Sequence, residues 1–280
     1  MNYRHAFHAG NFADVVKHLA LVCILLHLRK KDAAFAVIDS HAGRGLYDLR
    51  GAEAQRTGEA AKGIGRILAL HEPAVPPALQ TYLAIVKRAG DGMYPGSPLI
   101  AASLLRAQDR LVAIEQQDDE AAALRTALAP FRDRARLECA DGYARLNALL
   151  PPVERRGVVL IDPPFEAPDE FQREAHALRD ALRRFANGIY LLWFPIKSAG
   201  EASAFSGEVL ATGARKILRV DVAVATATET DKERLTSAGL IIANPPFGFA
   251  SEIQENLAHI APLFSAAARV ELRWLIGEER

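Results

Sequence analysis

The chain has 280 residues, 50% of them hydrophobic and 24% charged, with 34 Lys and Arg against 34 Asp and Glu. That suffices for one large α/β domain with an insertion or for two small domains, and it excludes disordered and collagen-like classes. The two cysteines, Cys23 and Cys139, lie far apart without a Cys-x-x-Cys or a clustered His partner, so neither a disulfide framework nor a bound metal is expected.

The residues from Asn2 to Gly10 are polar, and Asn11 then opens a helix with Asp14 in its first turn. Val15, Val16, Leu19, Val22, Cys23 and Leu26 recur at helical spacing, and Arg29, Lys30 and Lys31 close the helix. Its apolar run, 19–26, is far shorter than the roughly 20 residues that span a bilayer and is flanked by charge. Neither a membrane anchor nor an export signal is expected, and a reducing cytoplasm is the expected location. Zero net charge argues against a broad basic face. Residues 1–31, however, carry Arg4, Lys17, Arg29, Lys30 and Lys31 against Asp14 alone. Part of this excess suits a helix C-terminus, and the rest suits phosphate contact.

A buried strand follows at 35–38, ending in Asp39-Ser40-His41-Ala42-Gly43-Arg44-Gly45. More than 60 residues separate it from the next strand, too many for one βα unit. Residues 48–95, broken by Pro73, Pro76, Pro77 and Pro95, therefore read as an inserted helical subdomain, between an N-terminal part at 1–47 and the remainder at 96–280. Ser97, before Pro98, reads as the N-cap of a helix at 99–106. Further strands are expected at 110–115, 136–140, 158–162 and 189–194, with helices between them. The last two, at about 215–225 and 240–243, leave no room for a crossover helix and should pair antiparallel.

The chemistry gathers at strand ends. The turn after the first strand has the small residues and glycines that let backbone N–H groups approach a ligand, although His41 stands where a nucleotide-binding loop has its first glycine. Glu115 ends the second strand, where a carboxylate can accept from two ribose hydroxyls. Asp141-Gly142 ends the third, where a carboxylate can meet an adenine amino group. One such residue reads as a helix cap; three on successive strands point to a pocket along the carboxyl edge of the sheet. The fourth strand ends in Asp162-Pro163-Pro164-Phe165. Two prolines stiffen the loop and leave carbonyl groups free to accept. An amino group conjugated to a purine is a poor nucleophile, but Asp162 and the Pro163 carbonyl could each take one N–H and free its lone pair, while Phe165 stacks on the base. Asn244-Pro245-Pro246-Phe247 repeats the pattern after the last strand of the hairpin, away from the switch point, and is expected to be structure or pocket wall.

These features resemble the class I S-adenosylmethionine-dependent methyltransferases, and among them the amino-methylating group with an Asp/Asn-Pro-Pro-aromatic motif. Tyr3-Arg4-His5-x-Phe7-His8-Ala9-Gly10-Asn11, Asp14-Val15-x-Lys17-His18, Asp39-x-His41-Ala42-Gly43-x-Gly45, Tyr94-Pro95-Gly96-Ser97-Pro98, Ala140-Asp141-Gly142, Asp162-Pro163-Pro164 and Asn244-Pro245-Pro246 are similar, in order and over nearly the whole chain, to the RlmJ family of 23S ribosomal RNA adenine-N6 methyltransferases. The resemblance implies a Rossmann-like α/β fold with a seven-stranded, mostly parallel sheet, an antiparallel last hairpin and a small inserted helical subdomain. It implies S-adenosylmethionine contacts at His18, His41, Ser97, Glu115, Asp141, Gly142 and Asp162, catalysis by Asp162 with Pro163 and Phe165, and Tyr3 facing the RNA. A monomer acting on 23S rRNA is expected. One departure is Phe165, where the family commonly has Tyr. Rival expectations keep the chemistry with duplex DNA adenine or a protein glutamine as acceptor, or drop it for a non-catalytic RNA-binding module.

Overall fold

A computed structural model describes residues 5–70, 75–225 and 235–277. After a short 3-10 turn at His5–Phe7, Asn11 caps helix α1, Phe12–Arg29, by accepting from the Asp14 amide at 2.9 Å. The helix is buried continuously from Phe12 to Leu25, beyond the one apolar face its spacing suggests, because helices pack on it from several sides. Strand β1, Ala36–Asp39, follows, and its side chains alternate between two cores: Val37 faces one and Ile38 the other.

The long segment before the next sheet strand holds β2 (Leu46–Asp48), helices α2 (Ala52–Thr57), α3 (Glu59–Lys62), α4 (Ile64–Leu68) and α5 (Pro77–Arg88), and β3 (Met93–Pro95). Strands β2 and β3 pair antiparallel and draw the two ends of this segment together. Ile64, Ile67, Leu79 and Tyr82 share the core of α1. The segment is joined to the turn before α1 by a backbone contact: the Ile64 amide donates to the Gly10 carbonyl at 2.8 Å, and a Cβ on Gly63 would stand 2.1 Å from that same oxygen.

The remainder alternates helix α6 (Ser97–Leu104), strand β4 (Arg110–Glu115), α7 (Asp118–Leu128), β5 (Ala135–Cys139), α8 (Gly142–Leu149), β6 (Gly157–Ile161), α9 (Glu170–Arg184), β7 (Ile189–Pro195) and α10 (Ala199–Leu210). The chain then finishes with β8 (Ile217–Ala223), β9 (Ser237–Ala243), α11 (Phe249–Phe264) and β10 (Arg269–Ile276). The main sheet runs β10-β8-β9-β7-β6-β1-β4-β5. Strands β5, β4, β1, β6 and β7 are mutually parallel, β9 is antiparallel to β7, and β8 and β9 form the expected antiparallel pair. All seven expected strands form. An eighth, β10, adds to the edge beside β8, antiparallel and with none of its residues fully buried. The sheet is packed on one face by α1, α6 and α11 and on the other by α8, α9 and α10, the two-sided cover that a parallel sheet requires. No helix among the described residues is long and apolar enough to cross a membrane.

Candidate active site

Strand order reverses between β1 and β6, the place where parallel α/β sheets open a crevice at their carboxyl ends. The turns after β1, β4, β5 and β6 enclose a cavity of about 430 Å3 there. His18, His41, Ser97, Glu115, Asp141, Gly142, Asp162, Pro163 and Phe165 all line it. Tyr3 lies outside the described residues.

One side of the cavity is built from backbone and carboxylates. Glu115 Oε2 accepts from the Gly43 amide at 2.9 Å and Oε1 from the Gln117 amide at 2.8 Å, so this one carboxylate ties the turn after β1 to the end of β4. Burial raises its pKa against the pull of those two amides. Asp141 caps α8 through the Ala144 amide at 3.1 Å. Gly142 follows it because nothing larger fits: a Cβ there would meet the Ser40 carbonyl oxygen at 1.9 Å. His41 Nδ1 pairs with Ser40 Oγ at 2.8 Å and its ring meets the Tyr143 ring edge-on at 4.9 Å. Burial lowers its pKa to about 4 and keeps the ring neutral.

Ser97 does not cap its helix. Gly96 holds the N-cap position of α6, and the Ser97 hydroxyl instead donates to Asp39 Oδ2 at 2.6 Å, drawn by a buried carboxyl at the end of β1. Burial pushes the Asp39 pKa up to about 7, and Asp39 Oδ1 is buried without a partner among the described residues.

At the switch point Asp162 Oδ2 accepts from Lys17 Nζ at 2.5 Å, and Lys17 Nζ also donates to Asp14 Oδ1 at 2.8 Å. Asp14 Oδ2 in turn accepts from the Gly10 amide at 2.9 Å and meets His5 Nε2 at 2.8 Å. Phe165 stands in the left-handed backbone region, at φ 45°, a conformation that costs a non-glycine residue about 1–3 kcal/mol. Edge contacts to Phe171 at 4.9 Å and Trp193 at 5.7 Å hold its ring there.

The family model described as Ribosomal RNA large subunit methyltransferase D, RlmJ, matches residues 32–276. The chain belongs to this family. A relative from Escherichia coli strain K12, Ribosomal RNA large subunit methyltransferase J, is 39% identical over 99% of this chain and all of its own. Its Haemophilus influenzae namesake is 36% identical over 93% of this chain and 92% of its own. A crystal structure of a Legionella pneumophila protein, 31% identical, superposes with a TM-score of 0.88 over 97% of this chain and 99% of that one.

Further residues line the cavity of this RlmJ-family protein, among them Asp14, Lys17 and Trp193. Only the fold shows that α1 begins beside the β6 loop and so brings Asp14 and Lys17 to Asp162. His18 Nδ1 pairs with the Tyr94 hydroxyl at 2.7 Å, which reaches the Tyr82 hydroxyl at 2.9 Å, so residues of the segment between β1 and β4 steady the ring. Trp193 had no signal beyond its strand. The second Pro-Pro motif lies elsewhere: β9 runs against its parallel neighbours, so Asn244 emerges at the far end of the sheet, where its side chain donates to the carbonyls of Ala186 and Gly188 at 2.9 and 2.8 Å. No cluster of three or more His, Cys, Asp or Glu among the described residues could hold a metal.

Proposed function

We propose that this member of the RlmJ family methylates the N6 amino group of an adenine in 23S ribosomal RNA, with S-adenosylmethionine as methyl donor. The observation that carries the reading is that Asp162, Pro163 and Phe165 share one cavity with Glu115 and Asp141 at the sheet's switch point. The donor set suits the cofactor. Glu115 keeps one lone pair on each oxygen for ribose hydroxyls, and Asp141 offers an acceptor to an adenine amino group. When bound, S-adenosylmethionine supplies a methyl group on a sulfonium sulfur.

The protein's own residues prepare the acceptor. Asp162 Oδ1 and the Pro163 carbonyl each take one N–H of the target amino group, which turns the nitrogen lone pair out of conjugation. Phe165 stacks on the extruded base and fixes its plane. As the N–C bond forms, the nitrogen sheds one proton, and Asp162 is its acceptor. Lys17 stays on Oδ2 throughout, because the carboxylates of Asp14 and Asp162 outweigh its burial and hold it protonated. Such a substrate puts the reaction in the cytoplasm.

The test offers labelled S-adenosylmethionine with unmodified 23S rRNA, duplex DNA and a glutamine-bearing release factor. N6-methyladenine at one site of the rRNA is the expected product. Transfer only to DNA or to protein overturns the substrate, and no transfer to any acceptor overturns the reading.

A further inference from the structure

A second cavity, of about 300 Å3, opens beside the catalytic one and shares Asn11 and Leu235 with it. Its floor is apolar: the rings of Phe12 and Phe264 lie beneath it, edge-on with centroids 6.1 Å apart and only 7% and 6% exposed. Its rim is basic. Lys62, the last residue of α3, is exposed, and so is Arg66, whose guanidinium donates to the carbonyls of Leu263 and Phe264 at 3.0 and 2.5 Å. The carboxylate on this rim, Glu59, is engaged by His8 and by Asn11, each at 3.1 Å. Among the described residues the rim carries two cations, Lys62 and Arg66, against the one carboxylate of Glu59.

A target adenine in RNA arrives tethered to its neighbours, so one flanking nucleotide must leave the catalytic cavity within a single backbone step. An apolar cavity under a cationic rim suits a nucleotide of single-stranded RNA, the base in the cavity and the phosphate on the cation. We propose that this second cavity seats the nucleotide next to the target adenine, with its phosphate against Lys62. The proposal rests on the RNA-methylating reading above and adds to it a place where the context of the adenine is read. Continuity with the catalytic cavity and the sign of the rim favour RNA as the occupant.

Two measurements test it on the full-length protein. The first compares wild type with Lys62→Glu in steady-state methylation of a 23S rRNA hairpin carrying the adenine. KM should rise about tenfold with kcat unchanged, and the slope of log KM against log salt should fall by about 1. Unchanged KM and slope, or a loss confined to kcat, overturn the proposal. The second places 4-thiouridine beside the target adenine in the same hairpin and maps photo-crosslinks. Crosslinks to Phe12, Lys62 or Phe264 support the seating, and crosslinks only elsewhere overturn it. Crosslinking reports seating whether or not a methyl group is transferred, so an inactive wild type counts against the RNA-methylating reading alone.

Discussion

Lys17 Nζ stands between Asp14 Oδ1 and Asp162 Oδ2, at 2.8 and 2.5 Å, with 5% of its side chain exposed. A cation so placed joins the first turn of α1 to the switch-point loop, across 145 residues of sequence. Burial opposes charge on both Asp14 and Lys17. The charges of His5 and Lys17 nevertheless hold the Asp14 carboxyl well below its usual range, and the two carboxylates raise the pKa of Lys17. The pair is therefore ionised at neutral pH.

Asp162→Asn keeps the shape of the loop and removes the proton acceptor. It should lower kcat by at least about 100-fold while S-adenosylmethionine affinity, measured by calorimetry, stays near wild type. Near-normal turnover would refute the role of Asp162. Lys17→Met should slow transfer as well, and should cost about 3 kcal/mol of stability in denaturant unfolding, because Asp14 is left buried without its cation.

Phe165 separates stacking from hydrogen bonding. Phe165→Leu should raise the KM for RNA by roughly the 1–3 kcal/mol that a base-aromatic stack contributes, and Phe165→Tyr should keep the wild-type value. If leucine serves as well as phenylalanine in a filter-binding and turnover series, the ring does not hold the base.

Gly142→Ala tests the cofactor side. Its Cβ would stand 1.9 Å from the Ser40 carbonyl oxygen, so the turns after β1 and β5 must separate. Weaker S-adenosylmethionine binding and a lower melting temperature are expected together; an alanine enzyme with wild-type affinity would show that the two turns need not touch.

Two buried groups should tilt stability against pH in opposite directions. Burial first, and then the charge of Lys17, lower the His18 pKa from 6.5 to about 3. Below pH 6.5 the unfolded chain takes up a proton that the folded chain refuses, so stability falls as pH drops through this window, by about 2 kcal/mol at pH 5. Denaturant unfolding of His18→Gln should lack that part of the loss between pH 7 and 5. Glu174 has both carboxyl oxygens buried without partners among the described residues, and burial, with Asp162 and Glu170 nearby, raises its pKa well above 4.5. Here the folded chain retains a proton that the unfolded chain releases, so the cost grows as pH rises. Glu174→Gln should raise the melting temperature at pH 8 and change it little at pH 4; an equal shift at both would contradict this assignment.

The strand ends were legible because acidic residues and glycines after β-branched runs carry both the fold and the chemistry. Strand β10 escaped, although Val270, Leu272 and Trp274 alternate, because it is an exposed edge that buries little. Ser97 was misread as a cap because sequence shows a serine before a proline but not the buried carboxyl of Asp39 that captures its hydroxyl. The roles of Lys17 and Trp193 depend on which helix start and which strand flank β6, a matter of strand order that no local pattern encodes.

The contact of Gly63 and Ile64 with Gly10 reaches further than packing. Gly10 gives its carbonyl to the inserted segment and its amide to Asp14, and Asp14 grips Lys17, which grips Asp162. Four consecutive polar links therefore run from the segment between β1 and β4 to the carboxylate of Asp162, so a shift of that segment would be felt at the switch-point loop.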